Sequence, residues 1–294
     1  MAGLREVDPT TGIETTGHEW DGIKELNNPL PRWWLWTFYG CIAFALGYMI
    51  AYPAWPLVSG ATPGLLGYSS RGEFVKEVDG ALSAQAAQRE MVKTLPLEEI
   101  RKNADLLQFA VAGGRAAFRV NCIQCHGSGA AGGKGYPNLN DDDWLWGGTL
   151  DQIHTTLQHG IRFTADADTR QSPMPAFGAD EILTPEQIND VSEFVLKLSG
   201  QTFDAAVATR GITVYAENCV ACHGEAGEGI REFGGPRLAD PIALYASDKA
   251  AIVAQVTRPR HGVMPAWNTR LDEVTIKQLA IYVHSLGGGE MPVP

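Results

Sequence analysis

Four of the five cysteines fall in two identical patterns, Cys122-Ile123-Gln124-Cys125-His126 and Cys219-Val220-Ala221-Cys222-His223. No other feature constrains the fold as much. Two thiols separated by two residues reach both vinyl groups of one porphyrin, and the adjacent histidine then stands under the iron. Cys-x-x-Cys-His is therefore the attachment signature of c-type haem. A bare Cys-x-x-Cys also serves zinc sites and redox pairs, but the further ligand pairs that zinc would need are absent.

The motifs lie in two copies of a longer pattern, offset by about 97 residues. Each copy opens on a helical stretch with a glycine four residues before an aromatic: Gly114 and Phe118, then Gly211 and Tyr215. Each then carries a proline two residues before a leucine (Pro137, Leu139; Pro236, Leu238) and a His-Gly pair (His159-Gly160; His261-Gly262). Met-Pro-Ala-aromatic follows, at Met174 to Phe177 and Met264 to Trp267. An amphipathic helix ends each copy, over about 184–198 and 272–286. Thr184 before Pro185, with Gln187 three residues on, reads as a capping box, and Ile188, Val191, Val195 and Leu198 make one helical stripe. Gly114 and Gly211 are expected to let the first helix of each copy approach the aromatic of its last, Phe194 or Tyr282. The extra polar residues of copy one, about Arg162 to Pro173, read as tolerated loop length, with a docking loop as the alternative.

Ahead of the repeats, no charged residue occurs from Trp33 to Ser70. The strongly apolar part, Trp33 to about Tyr52, would rise about 30 Å as a helix, one hydrocarbon thickness. Trp33, Trp34 and Trp36 at one end and Tyr48, Tyr52 and Trp55 at the other form interfacial belts. Pro53 and Pro56 close the helix. A cleaved signal peptide would begin earlier and behind a positive flank, whereas residues 1–32 hold Arg5, Lys24 and Arg32 against six acids. A retained anchor in a lipid bilayer is expected, with Cys41 inside it a small packing residue. Haem attachment of this kind requires an export compartment, so the N-terminus is expected in the cytoplasm and everything after the span outside. The expected fold is all-α: one N-terminal transmembrane helix followed by two tandem class I-like cytochrome c domains. Its divisions are a cytoplasmic segment 1–32, the transmembrane helix 33–56, a linker 57–104 and cytochrome c domains 105–200 and 201–294. The linker is broken by Gly60, Pro63, Gly64 and Gly67, and short helices are expected from about Glu73 to Asp105.

Two covalently bound haem c groups are expected, one on Cys122 and Cys125 and one on Cys219 and Cys222, with His126 and His223 as axial iron ligands. Candidates for the sixth position are Met174, Met264, His154, His159, His261 and His284. Met174 and Met264 occupy equivalent places, and methionine ligation suits a high-potential carrier; bis-histidine ligation through His159 or His261 is the alternative. His154 and His284 have no counterpart and read as structural. Arg162, Arg237, Arg258 and Arg260 are candidate partners of haem propionates or solvated surface. Trp144, Trp146 and Trp267 pack on porphyrin or fill core. Asp141-Asp142-Asp143 is a docking candidate, with a helix N-cap the simpler reading. Acidic residues outnumber basic ones, 34 to 23, for a net charge of −11. That balance offers no basic face, so no nucleic-acid partner is expected; it suits solubility or steering toward a basic partner.

The stretch His18-Glu19-Trp20-Asp21-Gly22-Ile23, then Glu25 to Trp34, resembles the entry to the membrane helix in the dihaem CcoP (FixP) subunits of cbb3-type cytochrome c oxidase. The resemblance extends over essentially the whole chain, and the single span is similar to the shorter members. It implies partners: a catalytic haem-copper oxidase subunit, a membrane-anchored monohaem cytochrome c subunit and a donor c-type cytochrome. It implies electron entry into these two haems and transfer to the monohaem subunit, within a proton-translocating oxidase of the bacterial inner membrane, the haem domains lying in the periplasm. It also implies the ligand sets Cys122, Cys125, His126 and Met174, and Cys219, Cys222, His223 and Met264. The carbonyls of Pro137 and Pro236 would orient the two histidines.

An oxygen-reducing haem-copper site needs several histidines on a bundle of membrane helices, and the one span here has none. The chain is expected to move electrons without reducing oxygen or pumping protons itself. Two other functions compete. An anchored dihaem cytochrome serving a periplasmic dehydrogenase would have no use for His18 to Trp34. A dihaem peroxidase needs an iron with an open position, whereas both repeats carry a methionine.

Overall fold

The structure is a computed structural model that describes residues 6–245 and 247–292. The outer ends of the expected first and last segments, 1–5 and 293–294, lie outside the described residues. Two compact units divide the chain, Met1–Ala84 and Gln85–Pro294.

The first unit begins with a hairpin absent from the all-α expectation. Strand β1 (Thr15–Trp20) pairs antiparallel with β2 (Ile23–Leu26). Asp21 and Gly22 turn the corner with φ of 51° and 85°, the left-handed pair that a two-residue Asp-Gly turn supplies. Helix α1 (Arg32–Ala51) follows, 20 residues with none buried. Trp36 and Phe44 are 75% and 72% exposed, a waste of apolar surface in water and the right arrangement in hydrocarbon. Among the described residues it is the one helix long and apolar enough to cross a membrane. A two-residue ribbon, β3 (Pro56–Leu57) with β4 (Gly60–Ala61), and helix α2 (Ser70–Ala84) complete the unit.

The second unit is helical: α3 (Ala86–Thr94), α4 (Leu97–Lys102), α5 (Ala104–Asn121), α6 (Ile123–His126), α7 (Leu150–His159), α8 (Pro185–Leu198), α9 (Ala205–Asn218), α10 (Val220–His223), α11 (Lys249–Thr257) and α12 (Glu273–His284). The stretch expected as linker over 57–104 is not uniform. Its last part, α3 and α4, buries Val92, Leu97 and Ile100 against Leu106, Val274 and Ile281. Capping boxes at Thr149 and Thr184 start α7 and α8. Asp141 to Asp143, expected to cap a helix, sit instead in an irregular loop that the Trp144 indole pins to the Gly288 carbonyl at 2.6 Å.

The two repeats exchange their closing helices. Helix α12 packs on α5, and α8 packs on α9. A Cβ on Gly114 would lie 2.1 Å from the Gln278 carbonyl oxygen, and one on Gly211 would lie 2.2 Å from that of Asp190. Only glycine permits either approach. Phe118 meets Tyr282 at 5.4 Å, and Tyr215 meets Phe194 at 5.0 Å. This corrects the expectation that each glycine faces the aromatic of its own copy: Gly114 faces Tyr282 and Gly211 faces Phe194. One core holds Phe118, Cys122, Ile153, Leu157, Ile276, Leu279 and Val283; another holds Phe177, Val191, Phe194, Val214, Tyr215 and Val256. The second core is contiguous in sequence and lies inserted within the first.

Candidate haem-binding sites

In both copies a long helix delivers the first cysteine and a single further turn delivers the second cysteine and the histidine. Cys122 ends α5, and α6 carries Cys125 and His126; Cys219 ends α9, and α10 carries Cys222 and His223. The His126 and His223 amides donate to the carbonyls of Cys122 and Cys219, each at 2.9 Å, so the turn fixes both thiols and the imidazole on one surface. Gly127 and Gly224 stop the turn at φ 77° and 79°, which accounts for the glycine after each motif. Within each pair the first cysteine is the more buried, Cys122 against Cys125 and Cys219 against Cys222.

The imidazoles are set in one tautomer. His126 Nδ1 lies 3.1 Å from the Pro137 carbonyl oxygen, and His223 Nδ1 lies 2.9 Å from that of Pro236. A carbonyl only accepts, so Nδ1 bears the proton and Nε2 keeps its lone pair. Burial lowers both pKa values and the carbonyls oppose this in part, which keeps the rings neutral. Paired thiols beside an imidazole with a free Nε2 fit covalent haem c: the cysteines would hold the porphyrin and Nε2 would be open to the iron.

The methionines cross over with the helices. Met264 packs on the core that contains Cys122, together with Ile123 and Leu139. Met174 packs on the core flanked by Cys219, Val220 and Leu238. The packing thus groups Met264 with the first motif and Met174 with the second, the reverse of the pairing that the resemblance implies. The loops are fastened to each other as well. Ile161 and Met264 exchange backbone hydrogen bonds of 2.9 and 3.0 Å, and the Met174 amide donates to His261 Nε2 at 2.9 Å. That bond uses the accepting nitrogen of His261. His159 bonds Asp166 at 3.1 Å, and His284 Nε2 lies 2.9 Å from the Glu290 carbonyl oxygen. His154, on α7, leaves Nε2 buried without a partner among the described residues.

The insertion over 162–173 is a built element rather than spare length. The Arg170 guanidinium stacks 5.4 Å from the Trp146 ring and donates to the Trp146 carbonyl at 2.7 Å. Arg162 donates from Nε to the Gly262 carbonyl at 2.8 Å. Tyr215 donates its hydroxyl to the Gly224 carbonyl at 2.8 Å, tying α9 to the end of the second motif. The aromatic four residues after Gly211 was visible, but its hydroxyl partner was not.

Three known families match successive stretches of the chain. Residues 12–59 match the family described as the N-terminal domain of cytochrome oxidase-cbb3, FixP; residues 111–199 match Cytochrome c; and residues 206–283 match Cytochrome C oxidase, cbb3-type, subunit III. The chain is 55% identical to the cbb3-type cytochrome c oxidase subunit CcoP of Cereibacter sphaeroides over 276 residues, 94% of this chain and 95% of that protein. It is 52% identical to subunit FixP of Sinorhizobium medicae, covering 97% of this chain and 98% of its relative. Subunit CcoP of Azospirillum brasilense is 53% identical over 97% of this chain and 99% of its own length. Two cytochrome c modules in such a subunit carry two covalently bound haem c groups. The chain belongs to the CcoP/FixP family, the membrane-bound cytochrome c subunits of cbb3-type cytochrome c oxidase.

Proposed function

We propose that the chain relays single electrons from a donor c-type cytochrome to the monohaem cytochrome c subunit of the oxidase, and so to its catalytic haem-copper subunit. Helix α1 holds it in the bacterial inner membrane, with residues 1–32 cytoplasmic and both haem modules periplasmic. Oxygen reduction and proton translocation belong to the partner subunits. The bound haem groups supply a one-electron Fe(III)/Fe(II) couple at each site.

Cys122 and Cys125 anchor the first group, with His126 and Met264 as axial ligands. Cys219 and Cys222 anchor the second, with His223 and Met174. The observation that carries this reading is the crossed packing: Met264 lies on the core of Cys122, and Met174 lies on that of Cys219. Pro137 and Pro236 hold the tautomer that leaves Nε2 to the iron. Met174 and Met264 raise the potentials above those of bis-histidine sites, as a carrier near the oxidising end of respiration requires. The sequence divisions 105–200 and 201–294 remain the two haem-attachment repeats, each closed by a helix of the other.

Gentle detergent purification tests the relay. A reduced-minus-oxidised spectrum with b-type haem, and oxygen uptake driven by reduced cytochrome c, are expected. Pure c-type haem without uptake from intact complexes would point to another partner complex. Stoichiometric carbon monoxide binding at an intact c-type haem would favour a peroxidase. The crossed ligands are tested by Met264→His in a chain whose second motif is disabled by Cys219→Ala and Cys222→Ala. The potential of the remaining haem falls if the pairing is right, and Met174→His in the same background leaves it in place.

A further inference from the structure

Two half-buried guanidiniums, Arg162 and Arg170, have no carboxylate within ion-pair distance among the described residues. A cation taken out of water needs an anion or a full set of acceptors. Arg170 has the acceptors: the carbonyls of Trp146 and Gln152, and the Trp146 ring. Arg162 does not. Nε donates to the Gly262 carbonyl at 2.8 Å, Nη1 reaches the Ser172 carbonyl only at 3.5 Å, and Nη2 has no protein partner among the described residues. Burial depresses its pKa, with only Tyr245 acting the other way. The other arginines of similar promise are accounted for. Arg237 pairs with Asp240 at 3.1 Å, and Arg258 and Arg260 are exposed.

The position of Arg162 is specific. Gly262 stands two residues before Met264, and Ser172 two residues before Met174, so one guanidinium touches both methionine loops. Gly262 in turn lies beside the Gly135 carbonyl and the Tyr245 hydroxyl, and Gly135 opens the loop whose Pro137 carbonyl holds His126. Arg162 is thus placed between the His126 side and the Met264 side of one module. Its backbone is held at φ 52°, a conformation that side-chain-bearing residues keep only where the surroundings enforce it. No described residue supplies the anion missing from this place, and haem c carries two carboxylates on its edge.

We propose that Arg162 is the charge partner of a propionate of the haem attached at Cys122 and Cys125, and that through its bonds to both methionine loops it ties that haem's potential to the crossed arrangement. The inference rests on the haem sites and on the pairing of His126 with Met264. A fixed positive charge beside the porphyrin disfavours the additional positive charge of the ferric state, so Arg162 raises the potential.

The test uses the full chain with both haems, their number checked by pyridine haemochrome. Arg162→Gln keeps donors for the carbonyls but removes the charge. It is expected to lower the titration step that Met264→His also moves, and to shift the propionate bending band in resonance Raman spectra. The near-infrared band of methionine-ligated ferric haem should persist. Arg162→Lys should restore most of the potential. Two haems with both steps and the Raman band unchanged in Arg162→Gln would overturn the inference. So would movement of the other step alone, or equal loss of methionine ligation in the Gln and Lys variants, which would make Arg162 a tie between loops and nothing more. Fewer than two haems in the unsubstituted chain would instead sink the haem sites on which the inference stands.

Discussion

The two haem modules share a motif, a tautomer lock and a glycine contact, yet they are built from the chain in opposite ways. The second is assembled from a single stretch, from the Met174 loop through α8, α9 and α10 to α11. The first needs α5, α6 and α7 from one side of that stretch and α12 from the other, and it gains a second layer from α3 and α4. Equivalent sequence repeats have therefore become a nested pair, in which one site is local and the other depends on residues more than 150 positions from its cysteines. Attachment chemistry is decided within five residues, whereas the helix that packs on α5 or α9 is free to come from anywhere that presents the same stripe.

Leu279, fully buried in the first core, gives the largest separation between the modules. Leu279→Ala should cost about 2–5 kcal/mol, and denaturant unfolding followed at each haem should show the first site melting early while the second is spared. Equal losses at both would mean that the modules unfold as one. A narrower probe is Gly114→Ala, whose Cβ would collide with the Gln278 carbonyl and cost about 1–3 kcal/mol. In double-mutant cycles it should couple to Tyr282→Ala and be additive with Phe194→Ala to within about 0.5 kcal/mol; the reverse result would break the crossing. The smallest effect separates the modules by pH. Arg210 grips both oxygens of Asp190 at 2.8 and 2.7 Å and holds its carboxyl below the usual range. A depressed folded-state pKa stabilises above the unfolded value, so this contribution is present at neutral pH and fades as pH falls below about 4. Asp190→Asn should flatten that acid limb for the second module only, read from melting temperature against pH.

Much of this was legible in the sequence, because the chemistry was local. The haem motifs, the membrane helix from Arg32 and the Thr184 capping box each depend on neighbours within one or two turns, and periodicity and caps report them directly. The hairpin was missed although Asp21-Gly22 is a strong turn signal, since the expectation of an all-helical chain outweighed it. The core role of α3 and α4 was missed because Val92, Leu97 and Ile100 lie among charges that read as solvated linker. The exchange of α8 and α12 was beyond any such reading. Both helices present a similar apolar stripe to a similar glycine, so no local pattern distinguishes the partner in the same repeat from the partner in the other.

The nesting also sets an order of events during synthesis and export. In the proposed topology the chain is exported from α1 toward its C-terminus, so Cys122, Cys125 and His126 arrive well before α12, which can pack on α5 only when almost the whole of the haem modules has crossed. Contacts so distant in sequence form slowly, after the local ones. The first haem site therefore stays open for the longest time and the second can close as soon as α11 is out. The enzyme that attaches haem would have a wide interval for the first motif and a short one for the second, so a shortage of haem should leave its mark on the second site first.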